Sequence, residues 1–249
     1  MVRITLSVLA LFVFSALPLA IDLDRRSRSE DMNDFTFVRL IYRGSDFRGI
    51  NHWATDYPKA DEQFVYAVRR LTDFNFVNPN IKAIPILSEE LFEYPFAYAV
   101  EVGYMHINEE EALFLREYLL RGGFLMVDDF HGEAEWQNFY RQIKKVLPEY
   151  EPRRLSVDHP IFQCYFNIDR LIQVPGLQYL YTGRTWEKGG TEARYMGIED
   201  ENGRILVMIN HNVDLGDAWE WAEVEQYPRE FINLAFQLGV NYVIYAMTH

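Results

Sequence analysis

A chain of 249 residues is long enough for one large domain or two small ones, and 24 Lys and Arg against 37 Asp and Glu give it a formal charge of −13. That sign repels phosphate backbones and anionic lipid surfaces and argues against nucleic acid as a partner. The lone Cys164 excludes an intrachain disulfide and a cysteine-based structural zinc site, so stability must come from the core, where the 18 Phe, 16 Tyr and 5 Trp are expected before any carbohydrate-stacking surface.

Arg3 is followed by a mainly apolar run, residues 4–16, that continues into Leu17-Pro18-Leu19-Ala20, the layout of a secretory signal peptide over residues 1–20. Pro18 stands where a small residue is preferred before a cleavage site, which leaves a membrane anchor over residues 4–20 as the alternative. Both readings export the protein, to the periplasm or beyond. Residues 21–34, with Arg25-Arg26-Ser27-Arg28, read as a flexible charged linker, and one domain is expected over 35–249.

Residues 35–42 have strand composition and exit into the turn-forming Arg43-Gly44-Ser45-Asp46. Phe64, Val65, Val68 and Leu71, at helical spacing behind Pro58, predict a helix over 60–74. The apolar runs 81–87 and 96–104 are short enough for strands. Asn108 with Glu111 has the spacing of a capping box for a helix that Gly122-Gly123 ends before the next strand. Trp136, Phe139, Tyr140, Ile143 and Val146 form a helical stripe that Pro148 stops. Residues 179–182, 193–198 and 204–209 are predicted strands, the last two joined by a turn at Glu201-Asn202-Gly203. A helix over 228–238, stopped at Gly239, and a last strand over 242–247 close the chain. The alternation predicts a layered α/β domain with a mainly parallel sheet, to which the 193–209 hairpin is an antiparallel addition.

In such a sheet the C-terminal strand ends share one edge, where ligands bind. The buried run from Phe124 ends in Asp128, Asp129, His131 and Glu133; the first strand and its loop bring Arg43, Asp46, His52, Trp53 and Asp56; the 204–209 strand brings Asn210, His211, Asn212 and Asp214. Carboxylates mixed with imidazoles suit a divalent metal or general acid–base work. The candidate catalytic set is Asp128, Asp129, His131, His159 and His211, and the candidate ligand-binding set is Arg43, His52, Trp53, Asp56 and Asp214. Asp128 and Asp129 alternate faces in an extended strand, so both reach one site only if the chain turns there; equally, one of them can cap the helix near Glu133. His159, held extended before Pro160, reads equally as a packed turn residue, and Cys164 as a buried thiol. There is no nucleophile elbow, P-loop or dinucleotide fingerprint, and no ligand spacing calls for a cofactor, a divalent metal remaining the alternative.

The segments Phe37-Val38-Arg39-Leu40 with Tyr42, Trp53-Ala54-Thr55-Asp56-Tyr57-Pro58, Leu91-Phe92-Glu93-Tyr94-Pro95-Phe96, Gly122-Gly123-Phe124-Leu125-Met126-Val127-Asp128-Asp129 and Asp158-His159-Pro160-Ile161-Phe162 together resemble the bacterial domain of unknown function 4159. The resemblance implies a class I glutamine amidotransferase-like fold, a flavodoxin-like three-layer sandwich. In working amidotransferases the strand equivalent to 124–127 ends in a nucleophilic cysteine. Here that place holds Asp128-Asp129, which implies a domain without glutaminase activity. His159-Pro160 and His211 are also similar in placement to residues of sugar-utilisation relatives of that fold. Two roles follow. The first is a non-catalytic module holding a small-molecule or cell-envelope ligand or a protein partner; the alternative is a hydrolase, with or without a metal, acting on a cell-envelope or carbohydrate substrate.

Overall fold

Alternating side chains along fully buried strands divide the core into two layers. The elements are, in chain order, β1 (Val38–Ile41), β2 (Arg43–Gly44), α1 (Lys59–Leu71), β3 (Lys82–Pro85), β4 (Phe96–Val100), β5 (Met105–His106), α2 (Glu109–Leu120), β6 (Phe124–Phe130), α3 (Gly132–Val146), β7 (Arg153–Arg154), α4 (Tyr179–Thr182), β8 (Arg194–Glu199), β9 (Ile205–His211), α5 (Leu215–Glu220) and α6 (Arg229–Thr248). They lie within residues 35–44, 51–72 and 77–249, which the computed structural model describes; the expected signal peptide or anchor, the linker and Asp46 fall outside the described residues. Seven strands form one sheet in the order β3-β1-β4-β6-β9-β8-β7, parallel from β3 to β9, with β8 and β7 antiparallel. A separate antiparallel ladder joins β2 to β5.

Phe96, Tyr98, Val100, Phe124 and Met126 pack on one face with Phe64 of α1, Trp219 of α5 and Leu238 of α6. Ala97, Ala99, Leu125 and Val127 pack on the other with Leu115 of α2 and Phe139 and Ile143 of α3. This period of two, with helices on both faces, makes the fold a three-layer α/β sandwich.

One buried ion pair fixes the start of the sheet to its helix. Arg39 of β1 and Asp61 of α1 are both fully buried, with Nε 3.1 Å from Oδ2 and a second contact from Nη2 to Oδ1. Arg39 also donates to the Thr55 carbonyl at 3.1 Å and lies 4.6 Å over the Tyr98 ring, so it holds the loop that carries Asp56. The capping box forms as expected: Asn108 Oδ1 accepts from the Glu111 amide and Glu111 Oε2 from the Asn108 amide, each at 2.8 Å.

Two expected strands are helices. Residues 179–182 make the single turn α4, and the helix expected to stop at Gly239 runs on as α6 through the expected strand 242–247. Gly239 is there for close packing: a Cβ would meet Trp219 Cζ2 at 2.9 Å and clash with the Phe64 ring. Burial of Val240, Tyr242, Val243 and Tyr245 against this core outweighs their strand propensity. α6 is long and apolar enough to cross a membrane, yet 67% of its most apolar window is buried within the fold. The expected strand 96–104 is also shorter, ending at Val100 where Glu101 turns left-handed at φ 49°.

Candidate functional site

The site begins with backbone. Asp56, Glu101, Asp129 and Asn212 have φ of 62°, 49°, 51° and 60°, and they stand beyond or at the C-terminal ends of β1, β4, β6 and β9 respectively. Each left-handed non-glycine residue costs about 1 kcal/mol, less for Asp and Asn than for Glu. Such strain persists where surrounding structure holds a functional geometry. At β6 it resolves the face problem of the adjacent aspartates. The β6–β9 register shifts between Val127 and Phe130, and the chain turns at Asp129, bringing both carboxyls to one cluster. Neither caps α3: His131 occupies the N-cap, and its amide donates to Glu135 Oε2 at 2.6 Å.

Asp128 is fully buried; its Oδ2 accepts from the Leu215 amide at 2.8 Å, the Gly216 amide at 3.1 Å and the Tyr98 hydroxyl at 3.1 Å. Its Oδ1 is buried with no hydrogen-bond partner, as is Asp56 Oδ2. Asp214 caps α5, accepting from the Asp217 amide at 2.8 Å, and Asp217 accepts from the Trp221 indole at 3.0 Å. Asp56, Asp214 and Asp217 offer oxygens that all lie within 4.8 Å of one another.

Burial and the Asp129 charge push Asp128 up to about 7 and Glu101 up to about 8. Burial, Asp217 and Asp129 push Asp56 up to about 9, and burial with Asp129 raises Asp214 well above the carboxylate range. Asp129 is thus the charge felt by carboxyls from several strand ends. It also pairs with His131, whose Nε2 lies 3.2 Å from Asp129 Oδ1. Burial lowers the imidazole, but the hydrogen bond and charge of Asp129 outweigh it and raise His131 above its ordinary value. His131 Nδ1 is buried without a hydrogen-bond partner. Lys188, left-handed at φ 47°, closes this side with Nζ 2.6 Å from Glu135 and 3.7 Å from Glu101.

Asp56, Asp128, Asp129, His131 and Asp214 therefore come together, and the other candidates do not join them. His211 Nε2 donates to the Gly132 carbonyl at 3.1 Å, and the ring packs 4.9 Å from Phe130 and 5.1 Å from Trp136; burial pushes it down to about 4. His159 pairs with Glu199 at 3.2 Å, and Glu199 faces Ile205 at the opposite edge of the sheet because β8 runs antiparallel. Arg43 is exposed, 3.7 Å from Glu111, and Trp53 packs against the α2–α3 side of the core. His52 stacks on Tyr104 at 4.1 Å, and Lys188 Nζ lies 5.3 Å from that ring, so His52 belongs to the rim. Cys164 Sγ lies 3.2 Å from the Asn241 carbonyl, and burial pushes the thiol up to about 11. Glu101, Asp217, Gln178 and Lys188 escaped the sequence reading. Asp217 alone had a local signal, its cap-box spacing from Asp214; Glu101 was hidden inside an expected strand.

A search of the curated proteins finds no match to the chain. The family model for a domain of unknown function, DUF4159, matches residues 36–247, from before β1 to the penultimate residue of α6, and the chain belongs to that family.

Proposed function

We propose that the domain is a hydrolase whose water-activating centre is the Asp129–His131 pair, with Asp128 beside it. One observation carries the reading: a carboxylate orients an imidazole through Nε2 at 3.2 Å while Nδ1 has no hydrogen-bond partner. That is the relation of an orienting acid to a general base, here without a side-chain nucleophile in contact among the described residues, which suits direct attack by water. The strain at Asp129 and the crowding of carboxyls around it support a geometry kept for chemistry over one kept for stability. With the export expected from residues 1–20 and the amidotransferase-like fold that the family resemblance implies, the substrate class proposed is an ester or glycoside of the cell envelope.

The test is turnover of chromogenic esters, glycosides and phosphoesters by the purified domain, with Asp129→Asn and His131→Gln as controls. Loss of about 100-fold or more in kcat in both variants, with folding intact, supports the assignment. Turnover that survives both variants overturns it. The low exposure of His131 (1%) and Asp129 (7%) favours a second reading, a closed cradle for an unreacting ligand. Binding of a substrate analogue unaccompanied by conversion distinguishes that case.

A further inference from the structure

Two glycines clear space on either side of Asp214, and both spaces are lined by oxygen. From the place where a Gly176 side chain would begin, Asp214 Oδ2 lies at 2.6 Å and Asp217 Oδ2 and Gln178 Oε1 at 2.9 Å. From the corresponding place at Gly216, Asp56 Oδ2 and the Tyr98 hydroxyl lie at 2.9 Å and Asp214 Oδ1 at 3.6 Å. Any larger residue at 176 or 216 would intrude among these atoms. Asp214 and Asp217 also offer oxygens within 4.8 Å of each other, so the two carboxyls crowd one place.

Acidic side chains gather on many surfaces without holding an ion. What marks this group is a set of buried oxygens with no hydrogen-bond partner among the described residues. Asp128, 0% exposed, uses Oδ2 on the Tyr98 hydroxyl and the Gly216 amide, against the Gly216 space, and leaves Oδ1 unpartnered. Asp56 Oδ2 has no partner among the described residues in the same space, and Gln178 Oε1 is buried with none in the other. A native fold leaves few such groups unmatched. Arg39, whose charge acts on Asp56, is already committed to Asp61.

We infer that Asp56, Asp214 and Asp217, with the Gln178 amide oxygen and the buried Asp128 behind them, form a site for one hard divalent cation of calcium size. All candidate donors are oxygen, which selects against zinc and copper. A cage supplied mainly by protein oxygens suits calcium better than magnesium, which keeps several of its waters, and the oxygens of the triad lie within 4.8 Å of one another, a span that one such cation can bridge. The site deepens the hydrolytic reading by placing a cation near the Asp129–His131 pair, and it stands or fails by a separate measurement.

That measurement is calorimetric titration of the chelator-treated protein with calcium chloride, and separately with magnesium chloride, alongside thermal unfolding. The expected result is one calcium per chain, weaker magnesium binding, and a Tm that rises with calcium. Asp217→Asn and Gly176→Ala, the second of which leaves every charge in place, each weaken calcium by about tenfold or more. Circular dichroism of both variants checks that they fold. No saturable calcium binding overturns the inference. So does equal weakening by Asp158→Asn, an exposed acid far from the triad, since that marks diffuse attraction to a chain of charge −13. Calcium binding without turnover supports the cation site and removes the hydrolase; turnover without calcium binding does the reverse.

Discussion

Arg39–Asp61 and the carboxyl cluster are neighbours, and they treat buried charge in opposite ways. The ion pair is fully buried, doubly bonded between its partners, and completed by the Thr55 carbonyl and the Tyr98 ring. The cluster gathers Asp56, Asp128, Asp129, Asp214 and Asp217 with little positive charge among them, leaves oxygens of Asp56 and Asp128 unpartnered, and rests on left-handed backbone. The same stretch of chain serves both, since Arg39 holds the carbonyls just before Asp56. A matched buried charge anchors a fold; an unmatched one weakens it and persists only for something that it binds or does.

The largest effect expected from this contrast is at the matched pair. Asp61→Ala strands the Arg39 guanidinium in the core and should remove about 3–5 kcal/mol of stability in denaturant titration. A loss below that of an ordinary surface substitution would break the comparison.

His211 is a third kind of buried polar group, held neutral by burial and by the charges of Arg194 and His131, against the hydrogen bond to the Gly132 carbonyl and the smaller pull of Glu133. Its folded value of about 4 lies below the ordinary 6.5, so the unfolded chain takes up a proton first. Its contribution to stability is complete above pH 6.5 and falls as pH drops toward 4, by about 3 kcal/mol over the whole window. The raised carboxyls slope the opposite way, stabilising toward acid. The difference between the protein and His211→Gln, followed by denaturant from pH 7 to 4.5, therefore isolates the imidazole, and a difference independent of pH would refute its neutral burial.

Asp56→Asn keeps a residue type that tolerates φ 62° and replaces a carboxyl that the fold forces to hold its proton with a neutral amide, removing the cost of that protonation. In chelated protein it should stabilise by about 1–2 kcal/mol, read as a higher Tm, while weakening any bound cation. The smallest effect is at Glu101→Gly, where relief of the left-handed backbone should add about 1 kcal/mol. Destabilisation by both would show that the cluster is a matched structural network after all.

Much of this could be read along the chain. The apolar run that stops at Asp128-Asp129 marked the sheet edge, the Asn108–Glu111 spacing marked α2, and Glu201-Asn202-Gly203 marked the β8–β9 turn. These are local signals, set by side-chain periodicity and by groups a few residues apart. Asp56 and Asp214 were legible for a related reason: parallel strands bring their ends to one edge. His159 was misplaced because its partner Glu199 lies at the far edge on the antiparallel β8; the hairpin turn announced that direction, but no local signal announced the contact between His159 and Glu199, 40 residues apart.

Composition and pattern by themselves determined the α/β class, the acidic character and the sheet edge at which the carboxyls gather, because charge and hydrophobic period are properties of the residues in order. Tertiary structure alone decided that α6 continues past Gly239, since only packing on Phe64 and Trp219 outweighs strand propensity there. It alone turned the chain at Asp129 so that two adjacent carboxyls share one cluster, and brought Asp217 and Gln178 beside Asp214 across the Gly176 space. Which buried oxygens are matched depends on contacts between residues distant in the chain, and that balance exists only after folding.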